Sequence, residues 1–242
     1  MRILSFLLSL SLLAACGEDP GKDKTAAQVA DAVPVAPPPA AAPAPAGSFG
    51  LNGAIAFTGA KVTGKHDGTF QSWRGTAVVT DGQLASITFS VDTASLKTDA
   101  AKLDEHLKGG DFFDVAKFAT ATFESTDVKA GPPADSKLVG ATHTVTGNMT
   151  ILGVSKSVTV PAKLEIGVDG SFKAFSEFAI NRKDFNIVYP GKPDDLIKDD
   201  VALKIEVSGN TAAGTAAAGA APAGAAPAGA SPAPAAAPAA GH

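Results

Sequence analysis

The sequence predicts an all-β fold with one short helix, in which about eight antiparallel strands enclose a single apolar interior. Three observations carry this. Stretches that alternate apolar and polar residues recur through residues 48–209. Turn signals at Asp81-Gly82, Gly131-Pro132-Pro133 and Asp169-Gly170 fall between them. Only residues 95–114, SLKTDAAKLDEHLKGGDFFD, abandon the two-residue period for a helical one.

Taken in order, two runs between Leu51 and Thr80 open the series, and residues 85–92 follow with Ala85, Ile87, Phe89 and Val91 on one side. In the helical stretch Leu96, Leu103 and Leu107 share a face and Lys102, Glu105 and Lys108 occupy others. Thr98 is a capping candidate, Asp99 suits the positive end of the helix dipole, and Gly109-Gly110 offers a left-handed stop. At least one of Phe112 and Phe113 should return to the core. Residues 119–128 and 139–151 read as the next strands, the second carrying Val145, Gly147, Met149 and Ile151 on one side. Residues 158–166 alternate most cleanly, with Val158, Val160, Ala162, Leu164 and Ile166 against Thr159, Pro161, Lys163 and Glu165. Residues 172–180 present Phe172, Ala174, Ser176, Phe178 and Ile180; residues 201–207 present Val201, Leu203, Ile205 and Val207. A closed barrel is the economical solution, and a two-sheet sandwich fits the same period. The inward set mixes Phe89, Phe123 and Phe178 with Ala85, Ala121, Gly147, Ala162 and Ala174. Such a mixture either leaves a long cavity or fills a tapering barrel by size alternation.

The ends of the chain have a different composition. Residues 1–15 combine Arg2 with a short apolar run, the form of a secretory signal rather than a spanning helix. Leu13-Ala14-Ala15-Cys16 resembles the lipobox of bacterial lipoproteins, which implies that Cys16, the only cysteine, is acylated and anchors the chain to a membrane. Gly17 rather than Asp after the cysteine implies, by the same resemblance, an outer membrane location facing the periplasm. Residues 16–47 then read as an acylated cysteine and an Ala/Pro-rich linker able to span on the order of 90 Å if extended. Residues 48–209 form the folded domain, and residues 210–242 a disordered Ala/Pro/Gly tail.

The formal net charge of −4 gives no electrostatic footprint for nucleic acid, and one cysteine precludes an internal disulfide. Four scattered histidines lack metal-ligand spacing, and no nucleophile motif is present, so the reading is a non-enzyme with no cofactor and no metal. A calcium loop at Asp194-Asp195 and Asp199-Asp200 lacks regular spacing. His66 has two readings, a hairpin-stabilising residue or a head-group or carboxylate contact at a mouth; His106 reads as solvated or capping. Arg182 reads as a local ion pair with Asp184, a cross-barrel pair or a ligand contact.

Several segments, in order, resemble the YceI-like family. These are KVTGKHDGTF (61–70), LDEHLKGGDFFD (103–114), FATATFES (118–125), VTGNMTILGVSK (145–156), AINRKDFNIVY (179–189) and Asp199-Asp200-Val201. Met149 stands where that family usually has leucine, and Asn186 where it usually has glycine. The resemblance implies a closed antiparallel eight-stranded lipocalin-like barrel that takes an elongated isoprenoid lipid, a polyisoprenoid or quinone-like molecule. The ligand-contacting set is then Phe70, Ile87, Phe89, Val91, Phe123, Met149, Phe178, Ile180, Leu203 and Ile205, with His66 and Arg182 toward the head group. A filled barrel acting as an envelope interaction module is the alternative; its protein partners are unknown.

Overall fold

The computed structural model describes residues 18–34 and 46–210. The signal segment 1–15, Cys16, residues 35–45 of the linker and the tail after Asn210 lie outside the described residues. The strands are β1 (Thr25–Ala26), β2 (Gln28–Asp31), β3 (Ser48–Gly50), β4 (Asn52–Lys61), β5 (Gly64–Phe70), β6 (Trp73–Thr80), β7 (Gln83–Asp92) and β8 (Leu96–Thr98). They continue as β9 (Thr120–Ala130), β10 (His143–Ile151), β11 (Val154–Ile166), β12 (Ser171–Asn181), β13 (Gly191–Lys192), β14 (Asp195–Leu196) and β15 (Asp200–Asn210), with one α-helix, α1 (Ala101–Lys108).

Thirteen strands form one sheet, ordered β3-β6-β7-β9-β10-β11-β12-β15-β4-β5-β8, with β1 against β12 and β2 against β11. The path has two ends. The sheet is an open, strongly curled half-barrel around one core, not the closed eight-stranded barrel expected. The reason lies in residues 48–61, which divide at Leu51: β3 pairs with β6, whereas β4 pairs with β15 and then β5. The Leu51 N–H donates to the Gly75 carbonyl, 2.9 Å. At one end of the curl Phe49 meets Phe172 edge to face, ring centres 5.3 Å apart. Both are buried. Fully burying each such side chain stabilises the fold by about 1.5–3 kcal/mol.

Alternation holds in β11, β12 and β15 and slips in β7. There a register shift between Val78 and Val79 pairs Ser86 with Val78 but Leu84 with Val79. The extra residue turns Leu84 inward and leaves Ala85 exposed. The two runs read between Leu51 and Thr80 are three strands, β4, β5 and β6. The run begun at Val139 starts only at His143; Val139 is fully outside, next to Gly140 at φ +75°. Helix α1 starts after Ala100 without a side-chain cap, and Gly109 ends it in extended backbone rather than left-handed. Leu96 belongs to β8, not the helix.

The linker reading is overturned for residues 18–34. Pro161 is fully buried in β11, and its carbonyl accepts from Ser176 Oγ at 2.6 Å. Proline has no N–H for the ladder on that side. The β11–β12 pairing accordingly covers only Lys163–Ile166. The N-terminal segment fills the gap: Thr25 and Ala26 lie parallel to Phe178 and Ala179, then Gln28–Asp31 run antiparallel to Thr159–Lys156. The Ala27 N–H donates to Ala179 O at 2.7 Å. Thr25 is buried, its Oγ1 accepting from the Lys137 N–H at 2.8 Å. Lys24–Glu177 and Lys156–Asp31 pairs fasten the strap at its edges.

Candidate functional site

The curled sheet encloses a cavity of about 470 Å³ with an almost wholly apolar wall. That lies within the range of small-molecule pockets, roughly 300–1,000 Å³. Inward positions of β4, β7, β9, β10, β11, β12 and β15 supply the wall because these strands alternate around one interior. Phe70, Ile87, Phe89, Val91, Phe123, Met149, Phe178, Ile180, Leu203 and Ile205 all line it, as do His66 and Arg182. Of the small residues, Ala121, Ala162 and Ala174 line it too, and that is where the space comes from. Gly147 does not line it but makes room for Phe123. A Cβ there would sit 2.5 Å from that ring and 2.5 Å from the Glu124 carbonyl.

One end is closed. Ala174 and Val207 line the cavity, and the next layer is the Phe49–Phe172 contact. The other end is framed by α1 through Leu103, His106 and Leu107, by Phe112 and Phe113, and by Tyr189 and Ile197. Sequence reasoning missed most of this frame. His106 is not simply solvated. Its ring packs on Phe112 at 5.0 Å and on Tyr189 at 5.2 Å, and its Nε2 lies 3.3 Å from Asp111. The Phe112-Phe113 doublet was the available signal; nothing local links His106 to Tyr189.

Asp104 fixes α1 to β8. It accepts from Lys97 Nζ at 2.7 Å and from the Thr98 N–H and Oγ1 at 2.6 Å each. The Lys97 bond first, then Thr98, holds its carboxyl down at about 2. His66 Nδ1 lies 2.9 Å from Asp99, so the β5 histidine ties its strand to the approach of α1 while one face borders the cavity. Across the mouth, Asp195 pairs with Lys61 and accepts from the Thr63 N–H and Oγ1, joining the β13–β14 hairpin to the β4–β5 turn. The Lys61 bond leads in lowering the Asp195 pKa.

Arg182 is the buried cation of the site. Its Nη1 donates to Ile187 O at 2.6 Å, its Nε to Lys198 O at 3.0 Å, and its Nη2 to Ile197 O at 3.4 Å and Asp199 Oδ1 at 3.1 Å. Its ion-pair partner is therefore Asp199, shared with Lys183, not Asp184. Burial lowers the guanidinium pKa and Asp199 opposes that, so it stays charged. Arg182 acts as a staple for residues 187–198. Asn186, at φ 61°, makes the left-handed turn after the 3-10 turn Arg182–Phe185; asparagine tolerates this conformation better than most residues. Among the described residues no cluster of three or more His, Cys, Asp or Glu side chains is placed to hold a metal ion. No described helix is long and apolar enough to cross a membrane.

The profile of the YceI-like domain matches residues 51–209. A UPF0312 protein of Yersinia pestis (strain Pestoides F) is 39% identical over 127 residues, 50% of this chain and 62% of that protein. A UPF0312 protein of Pseudomonas aeruginosa (strain LESB58) is 49% identical over 76 residues, 31% of this chain and 35% of that protein. The chain thus spans less than two thirds of the length of these curated relatives. Among solved structures, Burkholderia cenocepacia BcnA superposes with a TM-score of 0.52 at 22% identity, covering 64% of this chain and 94% of that one. A polyisoprenoid binding domain from Saccharophagus degradans gives 0.50 at 12% identity, covering 68% and 94%. These two likenesses concern the fold.

Proposed function

The chain belongs to the YceI-like domain family, and from that membership and the cavity we propose that it binds an elongated isoprenoid lipid, a polyisoprenoid or quinone-like molecule, inside the curled sheet. The observation that carries this is the apolar interior cavity of about 470 Å³, closed at the Phe49–Phe172 end and framed by polar and aromatic residues at the other. Each methylene moved from water into such a wall gains about 0.8 kcal/mol, so a long chain binds without polar contacts along its length. The described solved domain that binds polyisoprenoid has the same fold.

The protein is then a carrier or store rather than an enzyme, tethered through an acylated Cys16 to the outer membrane and facing the periplasm. The alternative of a filled barrel serving only as an interaction module has the cavity volume against it. Trp73 provides the test: it is the only tryptophan, and its ring lies 6.0 Å from that of Phe89, which lines the cavity. Titrating the full chain with a short-chain prenylated quinone should quench Trp73 saturably, and an excess of unlabelled polyprenol should restore the emission. Quenching that is linear in quinone and indifferent to polyprenol would overturn the reading.

A further inference from the structure

We propose that the mouth of the cavity lies directly in the surface of a lipid bilayer, through a rim built from Val62, Val188 and Leu196. This rests on the reading above, in which the cavity takes an isoprenoid lipid and Cys16 carries a lipid anchor. Two independent features point to it.

The first is the apolar rim. In residues 187–197, side chains that line the cavity (Ile187, Tyr189, Ile197) alternate or abut with ones that face outward. The outward ones include two large apolar residues beside the charged hairpin tip at Lys192 and Asp194: Val188 is 62% exposed and Leu196 49%. Val62, at the β4–β5 turn, is 45% exposed, and its N–H donates to Leu196 O at 3.1 Å. The three are held rather than loose. Ile197 N–H donates to Pro190 O, Lys61 and Thr63 bind Asp195, and Arg182 fixes the carbonyls of Ile187 and Ile197. Val62 and Leu196 are joined to each other, Val188 follows the cavity-lining Ile187, and exposed large apolar residues bordering an apolar cavity mark an interaction surface. The nearby exposed charges, Lys65, Lys192 and Asp194, are of mixed sign, so the contact is apolar and salt-insensitive.

The second is where the chain starts. Gly21 sits against Ala179 and Asp200 so closely that a Cβ would lie 2.8 Å from the Asp200 Cβ. Asp200 pairs with Asn181, the residue before Arg182. Residues 18–34 are fastened to the sheet from near their start, at Gly21. The first described residues are therefore held at the Arg182 end of the sheet, the end with the mouth, and the Cys16 that the reading above acylates precedes Glu18 by only two positions in the sequence. Val168, the most exposed of the large apolar residues among those described, sits singly in the turn between β11 and β12, at the Phe172 end of the sheet.

The test uses the full chain matured in a bacterial envelope and reconstituted in phosphatidylethanolamine/phosphatidylglycerol vesicles, with a polarity-sensitive fluorophore on Leu196→Cys or Val168→Cys. The expected result is a blue shift at position 196 and loss of most of its emission to a lipid-borne nitroxide, with position 168 unaffected. Equal behaviour of the two labels overturns the proposal. So does a blue shift at 196 that grows with protein concentration and escapes the nitroxide, which would put a second copy on the rim. The N-terminal mass and tritiated polyprenol retention of the same preparation separate the failures. An acylated, polyprenol-binding chain with an unquenched 196 label refutes the rim alone; a chain lacking both refutes the reading beneath it. A Val62→Asn/Val188→Asn/Leu196→Asn variant should take up polyprenol from vesicles at least several-fold more slowly while keeping its affinity for detergent-dispersed polyprenol, and unchanged uptake counts against the rim.

Discussion

Ala162→Trp tests whether the interior is occupied space or available space. Ala162 is buried in β11, lines the cavity and faces His143 across the β10–β11 ladder. Its methyl group points into the void, so an indole there is accommodated by the cavity rather than by displacing a wall. Overpacking a well-filled core costs about 1–3 kcal/mol, and here the cost should fall at the low end. The ligand loses far more. Excluding even one five-carbon isoprene unit forfeits about 4 kcal/mol at about 0.8 kcal/mol per carbon. That is nearly three orders of magnitude in Kd. The assay is retention of tritiated polyprenol by the full chain, beside urea unfolding to show that the fold survives. A folded variant with wild-type affinity would refute the argument, because it would place the lipid elsewhere.

Three further outcomes are expected. Arg182→Ala leaves the Ile187, Ile197 and Lys198 carbonyls without their arginine donor and Asp199 with only Lys183; it should cost about 3 kcal/mol in urea unfolding and speed amide exchange at Ile197, with Arg182→Lys recovering only part. Asp104 has a folded pKa of about 2 against an ordinary 3.8. The ionised form therefore stabilises the α1–β8 junction fully above pH 3.8, and this contribution is lost as pH falls toward 2; Asp104→Asn should flatten that acid limb of the stability–pH curve. Ala27→Pro removes the N–H that bonds Ala179 O, and should free the strap to limited proteolysis near Gln28 at a cost of about 1 kcal/mol.

Much of the wall was legible because burial on one side imposes a two-residue period on each strand. The facing of β12 and β15 could be read residue by residue, and Phe178, Ile180, Leu203 and Ile205 on their inward sides line the cavity, whereas Phe172 lies beyond its closed end. Ala85 was misassigned because an inserted residue at a bulge inverts parity without leaving a compositional mark. Residues 25–31 looked like linker for a related reason. TAAQVAD has few large side chains, and it joins the sheet through its backbone, at a gap that Pro161 creates more than a hundred residues away. The pairing of Arg182 with Asp199 rather than Asp184, and of His106 with Tyr189, is equally non-local. Closure of the sheet was over-read: period and strand number say that one face is buried, not that the hydrogen-bonded path returns to its start.

The most direct measurement is mass spectrometry of organic extracts from the full chain purified from an envelope that supplies its own lipids. The account predicts a polyisoprenoid or prenylated quinone in near-stoichiometric amount, lost in Ala162→Trp. An extract without isoprenoid, from a folded chain whose Trp73 also fails to respond to added quinone, would contradict it.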